Sequence, residues 1–187
     1  MKTFILLIIG IMTSCMAPKY ISTIVTDTYD EKKDQTTYMV FPFGSLSLPG
    51  KWTKTAYNKI SGQQNFKNKD SLGTALLINR NSGYSFYTKE MSPNKFVKAM
   101  YQWDSDYFSS QFKGNCKILK QDTINHYIIW QITADNEKNK FDNVYLFGSE
   151  NGIVFTVRAP IENVTLSQKI EFVQTVYENK TVGTCCK

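Results

Sequence analysis

Between Tyr127 and Val157 three strand-like segments follow one another with almost no chain between them, and that spacing restricts how they pair. Tyr127 to Thr133 (YIIWQIT) puts Ile128, Trp130 and Ile132 on one face of an extended segment. Phe141 to Phe147 (FDNVYLF) puts Phe141, Tyr145 and Phe147 together, with Val144 and Leu146 near the other side, and Ile153 to Val157 puts Ile153, Phe155 and Val157 on one face. This alternation has the two-residue period of a strand. Asp135 to Asn139 and Ser149 to Gly152 join the segments with hairpin-loop residues. A parallel crossover takes a dozen residues or more, so these strands must be antiparallel.

Two helical patterns flank the strands. Ser92 can cap a first helix and Pro93 suits its first position, where a missing N–H costs nothing. Phe96, Met100, Trp103 and Tyr107 then fall on one helical face, predicted to lie on the sheet, and Gly114 is a natural stop. Thr165-Leu166-Ser167-Gln168 fits a capping box for a second helix, with Leu166, Ile170, Val173 and Tyr177 at helical spacing. Upstream, Tyr20 to Tyr29, Thr36 to Phe43, Ser45 to Leu48, Gln63 to Lys67 and Leu72 to Arg80 read as strands. Pro42 would confine the second of these to a sheet edge. The expected architecture is α+β, a single domain with an antiparallel sheet packed against two helices.

The chain has 187 residues, 42% of them hydrophobic and 20% charged, values of a globular protein and not of a disordered one. Its formal charge of +6 comes from scattered lysines, with no run of four basic residues. The basic stripe of a nucleic-acid-binding protein is therefore absent, and no nucleic acid is expected as a partner. Catalytic patterns are equally sparse. His126 is the sole histidine, no G-x-S-x-G elbow occurs, and the glycines form no phosphate-cradling loop. Asp104 and Asp106 lack the other ligand positions of a calcium loop and are expected to be solvated on the helix. No cofactor, no metal and no catalytic residue is expected. Trp103 and Trp130 sit on apolar faces and are expected in the core, which leaves Trp52, beside the Pro49-Gly50 turn, as the candidate partner-binding aromatic.

The amino terminus reads as an address. Lys2 supplies charge, Phe4 to Met12 is an apolar run of nine residues, and Met12-Thr13-Ser14 leads to Cys15. A transmembrane helix needs about 20 apolar residues, so the run is too short to span. The order of charge, apolar run, small residues and cysteine resembles the signal peptide and lipobox of a bacterial lipoprotein, with Met12 where Leu is usual. The resemblance implies a signal peptide over residues 1–14, cleavage before Cys15 and acylation there, with several chains giving a stable anchor. Residues 15–35 would be a tether and first strand, and 36–187 the folded domain. Met16 follows Cys15 and no acidic residue occurs before Asp27, which by lipoprotein sorting rules points to the outer membrane, facing the periplasm. An oxidising compartment there allows a disulfide from Cys116 to Cys185 or Cys186, with one thiol left over.

The order of early strands, long helix, three antiparallel strands and C-terminal helix resembles the PsbP-like fold. The match is carried by Leu46-Ser47-Leu48-Pro49-Gly50-Lys51-Trp52, by Tyr145-Leu146-Phe147-Gly148 to Phe155, and by Ile170-Glu171-Phe172. Members include photosynthetic extrinsic subunits, a Ran-GTPase-binding protein, and bacterial lipoproteins or secretion adaptors. The resemblance implies a protein-binding or assembly module and not an enzyme. The expected function is thus a lipid-anchored envelope module that binds a protein partner as an assembly factor, scaffold or toxin-immunity protein. The alternatives are a small-ligand or glycan-binding lipoprotein, and a hydrolase using His126 with a carboxylate.

Overall fold

The computed structural model describes residues 22–136, 139–160 and 164–183. The chain runs through strands β1 (Ile24–Asp30), β2 (Gln35–Phe41), β3 (Gly44–Pro49), β4 (Trp52–Asn58), β5 (Gln63–Asn68) and β6 (Gly73–Arg80). Helix α1 (Pro93–Phe112) follows, then β7 (Asn115–Asp122), β8 (Tyr127–Asn136), β9 (Asn139–Glu150) and β10 (Ile153–Arg158). Helix α2 (Leu166–Glu178) and the short β11 (Thr181–Val182) complete it. Four strands form one sheet in the order β1-β2-β3-β11 and seven form another in the order β4-β5-β6-β10-β9-β8-β7. Every strand pair is antiparallel.

The seven-stranded sheet is the middle layer, and the two-residue period of its strands sorts its side chains to two cores. Ile129, Leu146 and Phe155 point to one side, where they meet Leu46 and Leu48 of the small sheet and Val173 and Tyr177 of α2. Ile128, Trp130, Phe147 and Val154 point to the other, where they meet Phe96, Val97 and Met100 of α1. The α+β class and the antiparallel pairing of β8, β9 and β10 are as expected, with two sheets in place of one.

Several local expectations give way to tertiary packing. Strand β2 is not an edge: it pairs with β1 and β3, because Pro42 lies beyond its end in the turn to β3. The strand expected within residues 15–35 is β1, paired with β2 at all seven of its positions. Strands β4 and β7 carry no apolar alternation, since most of their side chains face solvent, and were not foreseen. Helix α1 ends on Lys113, whose φ of 56° takes the left-handed position expected of Gly114. Gly114 is needed for closeness instead, because a Cβ there would stand 2.8 Å from Ile132 Cδ1.

Helix α2 starts as its sequence dictates. Thr165 Oγ1 accepts the Gln168 backbone N–H while Gln168 Oε1 accepts that of Thr165, a reciprocal cap. Leu166 is exposed, and Lys169 takes the inward position, burying its stem while Nζ donates to Asp142 O (2.9 Å) and Oδ2 (3.0 Å). Tyr177 closes the helix against the backbone of Gly148, where any Cβ would fall 2.2 Å from the ring, and its hydroxyl donates to Asn125 O at 3.0 Å.

Candidate functional site

Helix α1 presents the surface best suited to recognition. Its buried stripe winds around the helix. It runs through Phe96, Val97 and Met100 in the first half, then through Tyr101, Ser105 and Phe108 in the second. That drift turns Trp103 and Tyr107 outward, 52% and 53% exposed, although their spacing from Phe96 predicts a shared inward face. Trp130, by contrast, is fully buried beneath the helix, stacked on Tyr145 with ring centroids 5.1 Å apart.

Trp103 is exposed but not loose. The loop after β6 sends Tyr84 and Phe86 under it, each with its ring centroid 6.1 Å from the indole, and both rings also pack on Phe96. Aromatic contacts of this kind add about 0.5–1.5 kcal/mol each, enough to hold a side chain in one orientation. Tyr107 continues the surface, in edge contact with Phe108 and Phe112. The loop aromatics escaped the sequence reading, where the run Tyr84-Ser85-Phe86-Tyr87 after Gly83 was the available signal.

Charge borders the patch. Asp106 accepts from Gln102 Nε2 at 2.7 Å and stays exposed. Asp104, expected to be solvated, is instead partly enclosed, and burial pushes its carboxyl up to about 7. Cys116 lies under the same helix, its Sγ 3.8 Å from Ser105 O and 3.9 Å from Ser109 Oγ, and burial pushes the thiol up, away from nucleophilic character. Its candidate disulfide partners Cys185 and Cys186 lie outside the described residues, as do Cys15 and residues 1–14.

The remaining candidates have structural roles. Trp52, the candidate partner-binding aromatic, is only 6% exposed: its Nε1 donates to Pro49 O at 2.7 Å and its ring packs on Phe172, closing the turn between β3 and β4. His126 sits in a left-handed turn with Nδ1 3.2 Å from Asn94 Oδ1, an amide and not a carboxylate. The adjacent Asp122 carboxylate is occupied by the turn. It accepts the backbone N–H of Asn125, the Asn125 side chain and the backbone N–H of Ile124, which together hold it below the usual carboxylate range. Among the described residues, no group of three His, Cys, Asp or Glu stands where it could hold a metal, and no helix is long and apolar enough to cross a membrane.

A cleft of about 400 Å³ opens between the two sheets, lined in part by Tyr38, Lys54, Tyr57, Gln64 and Asn79. None of the three tryptophans lines it. Gln64 Nε2 is already committed to the carbonyls of Thr55, Ala56 and Asn65.

No family model matches the sequence, and no curated protein is detectably similar to it. Among solved structures, the solution structure of cyanobacterial PsbP (CyanoP) from Synechocystis sp. PCC 6803 superposes with a TM-score of 0.54 at 10% identity, covering 92% of this chain and 99% of that one. The likeness lies in the path of the backbone, and it shows that this chain has a PsbP-like α+β fold.

Proposed function

We propose that this chain is a lipid-anchored, non-catalytic module of the cell envelope that binds a protein partner through the aromatic surface of α1. The observation that carries the reading is Trp103, half exposed yet braced by Tyr84 and Phe86 on the convex side of a helix. Large aromatic side chains held rigid at a surface are the usual anchors of protein interfaces, because they bury much area at little entropic cost. A glycan or small ligand would instead be expected to stack on tryptophan inside a concavity. The amide partner of His126 and the engaged Asp122 support a non-catalytic role over hydrolysis.

The anchor is Cys15, and the address is the outer membrane facing the periplasm, on the strength of the lipobox-like Met12 to Cys15 and of Met16 after it. An assembly factor, a scaffold and an immunity protein all fit this description and differ only in the partner. Two measurements test it. Cys15→Ser should abolish acyl labelling and membrane fractionation, and unchanged labelling would remove the anchor from the account. The chain freed of residues 1–15 should capture a stoichiometric partner from envelope extract and lose it on Trp103→Ala. Capture by both forms alike would place the interface elsewhere.

A further inference from the structure

The small sheet carries a second exposed apolar patch, on the side of the molecule away from α1. Ile24 pairs with Phe41, and Met39 lies two residues back along β2, so all three project from one face of the sheet. They are 63%, 58% and 39% exposed. Beside Met39 and Phe41 a cleft of about 420 Å³ is lined also by Pro42 and Val182. At the same end Arg80 holds its guanidinium 5.8 Å from the Phe43 ring, and no carboxylate among the described residues pairs with it.

The geometry points to a bilayer surface as the occupant of this patch, an inference that rests on acylation of Cys15. Eight residues, 16–23, separate Cys15 from Ile24. Fully extended they span about 28 Å at most, whereas a folded chain of this size is about 40 Å across. The tether therefore holds the Ile24 edge near the membrane and is too short to bring the opposite, α1 face against it. Ile24, Met39 and Phe41 would sit at the level of the headgroups and upper acyl chains, with Arg80 beside lipid phosphates. The same orientation turns Trp103 towards the compartment, where a protein partner can reach it.

The test uses the acylated full chain in vesicles of phosphatidylethanolamine and phosphatidylglycerol with brominated acyl chains. Phe41→Trp should add a fluorescence component that loses at least about half its intensity in brominated vesicles, while Trp103 emission is unaffected. Ile24→Ser with Phe41→Ser should lower vesicle partitioning of the non-acylated chain about tenfold. An unquenched Trp at position 41 in protein that still floats with the vesicles would overturn the orientation while leaving the anchor intact. Protein that does not float would overturn both. A dimer of the non-acylated chain that Phe41→Ser dissociates would assign the patch to a second copy and overturn the bilayer contact.

Discussion

The two helices cover opposite faces of the same sheet, and they do so in different ways. Helix α2 is sealed: Val173, Val176 and Tyr177 are buried, Lys169 is tied to Asp142, and Tyr177 fills the space left by Gly148. Helix α1 is longer and secures only part of its aromatic surface, leaving Trp103 and Tyr107 in solvent. Burying them would have been favourable by about 1.5–3 kcal/mol for a large apolar side chain. A surface that folding does not need, built from rigid aromatics, is where binding can be placed without disturbing the core.

The contrast predicts a gradient of sensitivity. Gly148→Ala forces a Cβ into the Tyr177 ring and should cost about 3 kcal/mol, read as a lowered urea midpoint. A loss under about 1 kcal/mol would mean that α2 yields and is less tightly held than described. Asp104→Asn should act with pH. The folded chain keeps a proton on Asp104 up to about 7, while the unfolded chain releases it near 4, so wild-type stability falls as pH rises across that window. The amide removes the fall. It should stabilise by about 1–2 kcal/mol at neutral pH, less than a fully buried carboxyl would because water still screens Asp104, and by almost nothing below about pH 4. Parallel pH–stability curves for the two forms would contradict the enclosure of Asp104. Trp103→Ala should have the smallest effect on folding, about 1 kcal/mol or less, because half of the side chain is already in water. A loss comparable to that of Gly148→Ala would make Trp103 a core residue after all.

What was legible in the sequence follows the same division. The faces of β8, β9 and β10 and the capping box of α2 were readable, because alternation and capping are local and the buried faces are dense in Ile, Val and Phe. Strands β4 and β7 were not, since long-range pairing rather than their own side chains makes them strands. The roles of Trp52 and Trp103 came out reversed for a related reason. A Pro-Gly turn reads as surface, yet it folds Trp52 onto Phe172. A helical stripe reads as core, yet its winding, and Tyr84 and Phe86 arriving from a distant loop, turn Trp103 outward. Periodicity locates a helix face but not where the stripe leaves the sheet.

The most direct measurement places a photo-crosslinking amino acid at position 103 of the acylated chain in intact cells, with the same probe at Thr28 on the small sheet as a comparison. A discrete protein adduct from position 103, absent from position 28, is the result that partner binding through α1 requires. No adduct from position 103, with one from position 28, would contradict it.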